Sequence, residues 1–356
     1  MSERLYFMAA APFEAARQLA GGPDERQTRL HGHSFLARIR AKLPTGFASF
    51  PGAEAEALTQ RLQDVVALLD YTLLNDRLTD PDDVQLADWI SGQLNVPDIA
   101  QISVQSAAHQ GVSVDADRQA HYWRRFRFEA AHQLPNVPLG HQCGRMHGHG
   151  FEVILWALAS RDEPLGMRPN YAQLETAWTP WHEQLHLACL NDVPGLENPT
   201  SERLAAWLWA RLQPDLPALA RVTVYETATA GCHYDGRRYR IWKERVFESA
   251  LRLRNAPVGD VRRRTHGHSY TLRLHLTAPL DEVMGWTVDY GEVKALFEPL
   301  YRQLDHHPLN DLPHLAEPTL AELLDWMRSQ MAAVLPALDR IDLEQTPGCG
   351  AILCWS

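Results

Sequence analysis

Two histidines separated by one residue on an extended segment point their imidazoles from the same face, and the chain contains three such doublets. They are His31-Gly32-His33, His147-Gly148-His149 and His266-Gly267-His268. In "HGHSYTLRLHLT" the alternation continues through His266, His268, Tyr270, Leu272, Leu274 and Leu276, the period of a strand with one buried face. Two imidazoles fall short of the three protein ligands that a catalytic zinc site takes, with its fourth position left open for chemistry. The middle doublet has a third candidate, His132 in "FRFEAAHQLP", on a preceding strand that the pattern pairs with it as a hairpin. Cys143, four residues before that doublet in a glycine-bounded turn, adds a thiol beside the proposed metal. It becomes a base if Zn²⁺ or a neighbouring imidazole lowers its pKa. His31/His33 and His266/His268, without a third ligand, are expected to hydrogen-bond locally.

The elements that hold these residues repeat. The doublets begin at 31, 147 and 266, steps of 116 and 119, and Leu74-Asn75-Asp76, Leu190-Asn191-Asp192 and Leu309-Asn310-Asp311 keep the same steps. Pro81, Leu86 and Trp89 recur as Pro199, Leu204 and Trp207 and as Pro318, Leu323 and Trp326, while Phe13, Phe128 and Phe247 precede the doublets. The chain therefore reads as three tandem units, 1–118, 119–238 and 239–356, each of ordinary domain size. In "EPTLAELLDWM", Thr319 and Glu322 read as a capping box, followed by Leu320, Leu323, Leu324 and Met327 at helical spacing. Leu204, Trp207, Leu208 and Leu212 form the matching stripe in the middle unit, and "ARVTVYETATAG" is strand-like. Hairpins with helices on one face predict an α+β unit built on an antiparallel sheet.

Composition narrows the function. The chain is 45% hydrophobic and 22% charged, as in soluble globular proteins. The start "MSERLYFMAAAPFEAARQL" lacks a leader pattern, and no apolar run reaches the roughly 18 residues of a membrane span, so a cytoplasmic protein without membrane contact is expected. Cys143, Cys189, Cys232, Cys349 and Cys354 show no framework spacing and read as reduced thiols. A net charge of −10 argues against nucleic acid as a partner, because neutralising a phosphate backbone takes many cations. Arg262-Arg263-Arg264 could still hold a small polyanion.

From about Phe126 to Asp235 the chain resembles the 6-carboxytetrahydropterin synthase branch of the 6-pyruvoyltetrahydropterin synthase family, through "FEAAHQLP", "GHQCGRMHGHGF", "LNDVPGLENPTSE" and "YETATAGC". The resemblance implies the T-fold, in which three subunits join four-stranded sheets into a barrel with active sites between neighbours. It implies that His132, His147 and His149 bind zinc, that Cys143 is the catalytic base and that Glu226 anchors the pterin. Family members also carry an Asp-His-His segment before Leu-Asn-Asp, whose Asp and first His serve the cysteine of a neighbouring subunit. The middle unit has His186-Leu187-Ala188 there, whereas the third keeps Asp305-His306 but carries Leu251 and Arg262 in place of the first zinc histidine and the cysteine. The first unit has Arg17, Gln27, Tyr71-Thr72 after Asp70, and Ser106 in place of the glutamate.

A fused pseudo-trimer with one complete pocket is therefore expected, combining the zinc half of unit two with Asp305-His306 of unit three. Glu226 and Glu344 both remain candidates for the pterin anchor, and "YETATAG" is the nearer to the family pattern. The implied substrate is 7,8-dihydroneopterin triphosphate and the implied product 6-carboxy-5,6,7,8-tetrahydropterin, with loss of triphosphate and acetaldehyde, in queuosine-type biosynthesis. Arg145, Arg262 and Arg264 are candidates for the triphosphate. A pyruvoyl-type synthase, an aldolase-like side-chain cleavage and a non-catalytic pterin-binding scaffold are the alternatives, and a homodimer making a pseudo-hexamer is the expected assembly.

Overall fold

A computed structural model describes residues 3–20, 25–159 and 170–355. The chain opens with a long antiparallel hairpin, β1 (Arg4–Arg17) and β2 (His31–Ala41), followed by α1 (Glu54–Val66), the short β3 (Thr72–Leu73), α2 (Asp83–Leu94) and a second hairpin, β4 (Ile99–Ala107) and β5 (Gln110–Asp115). The same order recurs as β6 (Ala120–His132), β7 (His147–Ala159), α3 (Tyr171–Leu185), β8 (Ala188–Cys189), α4 (Ser201–Leu212), β9 (Leu219–Thr227) and β10 (Ala230–Tyr234). It then recurs, without the short strand, as β11 (Tyr239–Leu251), β12 (His266–Thr277), α5 (Tyr290–Leu304), α6 (Leu320–Met331), β13 (Leu338–Thr346) and β14 (Cys349–Cys354).

The long strands run antiparallel in one sheet, and β14 pairs with β1 from Arg4 opposite Cys354 to Met8 opposite Gly350. The sheet thus closes into an α+β barrel, which leaves no free edge to recruit other chains. Alternation sets which side is covered: Phe7, Ala9, Ala11, Phe13 and Ala15 of β1 are buried under the helices. The helical stripes expected from sequence are buried as well, Leu204, Trp207, Leu208 and Leu212 on α4 and Leu320, Leu323, Leu324 and Met327 on α6. Side-chain caps start the helices: Thr200 accepts from Arg203 N, and Thr319 accepts from Glu322 N. Asn170 forms a full capping box with Gln173. All five cysteines are free, and no described helix is long and apolar enough to cross a membrane.

The repeated Leu-Asn-Asp is a clamp. Asn191 Oδ1 accepts from Gln133 N at 2.9 Å and its Nδ2 donates to Gln133 O at 2.8 Å, fixing the chain just beyond His132. Asn75 does the same at Gln18, and Asn310 at Arg252.

Candidate functional site

The β6–β7 register sets His132 opposite His147 and Ala130 opposite His149, so the hairpin expected from sequence gathers three imidazoles. Their ligand atoms all lie within 4.8 Å of one another. Nδ1 of His132 faces the Pro199 carbonyl at 3.3 Å, Nδ1 of His147 the Arg145 carbonyl at 2.8 Å, and Nδ1 of His149 the Gly150 carbonyl at 3.2 Å. A carbonyl only accepts, so each Nδ1 carries the proton and each Nε2 keeps its lone pair free for a metal. The His132 and His149 Nε2 atoms converge to 3.1 Å, near the roughly 3.3 Å between two nitrogens on a tetrahedral zinc at about 2.05 Å. Burial, with the charges of His147 and His149, pushes His132 down to about 4, and burial also lowers His149. Both shifts favour the neutral imidazole that a metal ligand must be, and the three-nitrogen donor set fits a zinc ion.

The imidazoles open onto a cavity of about 600 Å³ whose wall includes Cys143, Arg145, His147, His149, Glu202, Glu226 and Lys243, together with Trp286, Asp289 and Tyr290 from the start of α5. Cys143 sits in a single 3-10 turn, Gln142–Gly144, and burial followed by the nearby carboxylates of Glu226 and Asp289 raises its thiol pKa. The protein alone therefore does not produce the lowered pKa expected of a base. Glu226 is pushed up to about 7 by burial and then by the charge of Glu202. Glu202 is spoken for, accepting from Ser201 Oγ at 2.9 Å and from N and Oγ1 of Thr287 at 2.8 and 3.0 Å. This leaves Glu226 as the carboxyl available to a ligand.

Several sequence expectations need correction. Asp305 and His306 do not line this cavity. They sit at the far end of α5, whose 15 residues span about 22 Å, and His306 lines a shallow groove there with Ser249, His268 and His307. There Asp305 Oδ1 accepts from Glu248 N at 2.9 Å, its Oδ2 lies 3.0 Å from His306 Nδ1, and the His306 side chain is 75% exposed. What the third unit brings to Cys143 is the N-terminus of α5, not its C-terminus.

Glu344 is also displaced. It lies opposite Gly350, as Tyr225 lies opposite Gly231, so Gln345 occupies the place of Glu226 and Ser106 the corresponding place in β4. Glu344 caps its own turn by accepting from Gly348 N at 2.8 Å. Of the candidates for an anionic group, Arg145 lines the cavity, whereas Arg262 is held elsewhere by Asp260 at 2.8 Å.

The places matching the zinc pocket are filled. Arg17, opposite His31 as His132 is opposite His147, pairs with Asp83 at 2.7 Å, and both are buried. Asp83 also accepts from Ser106 Oγ at 2.6 Å and from the Tyr171 hydroxyl. In the third unit, Leu251 takes the histidine's place opposite His266, and Arg262 stacks over Phe50 at 4.5 Å.

The residues that sequence reasoning passed over are His141, Glu202, Lys243, Trp286 and Asp289. His141, two before Cys143 in "GHQCG", and Asp289, opening the capping pattern "DYGE", left the only signals.

Fold and cavity together define an α+β barrel protein with a candidate metal-assisted site for a small molecule. The model of the family described as 6-pyruvoyl tetrahydropterin synthase matches residues 121–237 and again 240–354. The chain belongs to that family and carries two copies of its domain. A Synechocystis sp. protein named 6-carboxy-5,6,7,8-tetrahydropterin synthase is 38% identical over 118 residues, 32% of this chain and 90% of its own length. Among solved structures, the 6-pyruvoyl tetrahydropterin synthase of Caenorhabditis elegans matches at 21% identity and TM-score 0.29, over 33% of this chain and 96% of its own. That of Plasmodium falciparum matches at 16% identity and TM-score 0.27, over 33% and 98%.

Proposed function

We propose that the chain is a zinc-dependent 6-carboxy-5,6,7,8-tetrahydropterin synthase acting on 7,8-dihydroneopterin triphosphate, with one working pocket among three fused T-fold units, 1–118, 119–238 and 239–356. The observation that carries this is the meeting of three metal-ready imidazoles, a thiol and an available carboxyl in one cavity. The 38% identity to a relative of that name supports it. Zinc on His132, His147 and His149 would supply Lewis-acid polarisation of the substrate's side-chain oxygens.

The chain's own residues do the rest. The Glu226 carboxylate accepts two hydrogen bonds from the pterin 2-amino group and N3, which fixes the ring. Cys143 takes the carbon-bound proton of the side chain as general base. Arg145 and Lys243 offer cations to the triphosphate. Asp305 and His306 cannot serve Cys143 within one chain, so we assign their proton shuttling to a second copy that brings this exposed pair to the pocket, in the homodimer that makes a pseudo-hexamer. A cytoplasmic role in 7-deazapurine synthesis completes the reading.

The test is turnover of 7,8-dihydroneopterin triphosphate by zinc-loaded protein, with products identified by mass, for wild type and Cys143→Ala. Carboxytetrahydropterin from wild type and a large loss in the variant support the assignment. A pyruvoyl product or simple side-chain cleavage reassigns the reaction, and zinc binding without turnover points to a pterin-binding scaffold.

A further inference from the structure

One polar chain in the cavity crosses from the zinc hairpin to α5. His141 Nδ1 accepts from the Cys143 backbone N–H at 3.2 Å, and His141 Nε2 lies 3.1 Å from Asp289 Oδ2. These contacts fix the tautomer, because a ring nitrogen that accepts an N–H bears no proton, so Nε2 carries the hydrogen and donates to Asp289. Asp289 is itself anchored, since its Oδ1 accepts from the N–H groups of Gly291 and Glu292 at the start of α5. The ring of His141 also rests 5.9 Å from that of Trp286, so the imidazole is held by contacts on α5's approach as well as on its own turn.

The third unit shows what the turn needs by itself. At the position matching His141 it has Asp260, whose Oδ1 accepts from Arg262 N at 2.9 Å, the same cap made by a plain carboxylate. Capping therefore does not call for an imidazole. What histidine adds is a second nitrogen far enough out to reach residue 289. The residue matching Asp289 that follows Phe50 toward this turn is Ala53, the first position of α1's approach with no acceptor to offer, and at the remaining interface the sequence has Glu25 and Asn170. Among the three matching places, histidine and aspartate occur together only where the cysteine stands.

We propose that Asp289 and His141 form a positioning pair for Cys143. The carboxylate from one unit sets the tautomer of a histidine in the preceding unit, and that histidine holds the backbone that aims the thiol into the cavity. Docking of the His141–Gly144 turn on the start of α5 and alignment of the base are then one event. This rests on the reading of Cys143 as the base.

Two conservative variants separate the pair from mere structure. His141→Asn keeps a side-chain acceptor for the turn, as Asp260 does, but cannot reach Asp289. Asp289→Asn keeps an N-cap for α5 but can donate to Nε2, which leaves Nδ1 protonated and unable to accept from Cys143. Two readouts are taken: kcat and KM for 7,8-dihydroneopterin triphosphate, and the rate of Cys143 alkylation by iodoacetamide, followed on the Cys143 peptide with Cys189 as internal control.

Both variants are expected to lose about 10- to 100-fold in kcat, the scale of a misplacement near 1 Å, with KM within about 2-fold. The double variant should be no worse than either single one, since both act through the same atom pair. Cys143 alkylation should change several-fold in both while Cys189 does not. An unchanged kcat, a loss carried wholly by KM, or additive losses in the double variant would overturn the pair. If wild type shows no turnover the assigned reaction fails, yet alkylation still decides: a change confined to Cys143 upholds the pair, and equal rates in wild type and variants refute it.

Discussion

Arg17→Leu is expected to destabilise the chain by leaving Asp83 alone in the core. In the structure Arg17 and Asp83 are 4% and 3% exposed, and Arg17 Nη1 also donates to the Pro81 carbonyl at 3.0 Å. Removing one partner of a buried ion pair costs about 3–5 kcal/mol, most of it the desolvation of the charge left behind. Asp83 Oδ2 keeps the Ser106 and Tyr171 hydroxyl donors, which places the loss at the lower end, about 3 kcal/mol. At about 2.1 cal/mol/K per residue, the unfolding entropy of 356 residues is about 0.75 kcal/mol/K, so Tm should fall by about 4 °C if the barrel unfolds as one unit.

Adding Asp83→Asn removes the stranded charge and keeps an acceptor for the two hydroxyls. The double variant is therefore expected to recover to within about 1–2 kcal/mol of wild type, giving a favourable coupling in a double-mutant cycle. Calorimetry and urea midpoints on the four proteins measure it. If Arg17→Leu unfolds at the wild-type temperature, or the double variant is less stable than the single, the guanidinium is not neutralising a buried carboxylate and the argument is refuted.

Three further outcomes are expected. His132→Ala should lower bound zinc from about one per chain to a trace by elemental analysis, while His33→Ala and His268→Ala leave it unchanged; zinc retained without His132 would dismantle the site. Glu226, pushed up to about 7 from an unfolded value of about 4.3, takes up a proton on folding between those values. Wild-type stability should therefore fall as pH rises through that window and level off above it, and Glu226→Gln should flatten the slope of urea midpoints between pH 5 and 8. Mixing Cys143→Ala with His306→Ala chains and refolding them together should restore a measurable fraction of turnover if the exposed pair acts across copies; no recovery confines His306 to another role.

The sequence made the imidazole set legible because strand alternation and hairpin pairing are local rules, and His132, His147 and His149 need nothing else to converge. The helical stripes were legible for the same reason. The far side of the pocket was not, because which end of α5 meets Cys143 depends on how a helix from a different part of the chain lands on the barrel. Asp305-His306 keeps its motif intact at the wrong end of that helix. The anchor was misread at Glu344 by letter identity: counted back from the glycine on the facing strand, Gly350 or Gly231, the matching residue is Gln345, and a one-residue offset turns a strand side chain to the opposite face.

The two places that match the three-histidine pocket are filled, and they are filled in two different ways. A zinc dication in a buried pocket balances the groups turned toward it; without it, the remaining polar atoms need partners. Near the start of the chain the guanidinium of Arg17, at the place matching His132, pairs with Asp83 and lies 3.4 Å from the Nε2 of His33, whose pKa is pushed down to about 4 by burial and by Arg17. That imidazole is neutral and can accept from the arginine, whose charge is matched by Asp83. In the third unit the position becomes apolar instead. Leu251 replaces the ligand, Arg262 turns to Asp260 and Phe50, and Gln345, uncharged where Glu226 carries a carboxyl, donates to Glu56 at 2.7 Å. Both arrangements are contacts between distant parts of the chain, Asp83 with Tyr171 in the first and Gln345 with Glu56 in the second. The cavity beside His132 differs from them in keeping a carboxyl, Glu226, whose pKa burial and then the charge of Glu202 push up to about 7.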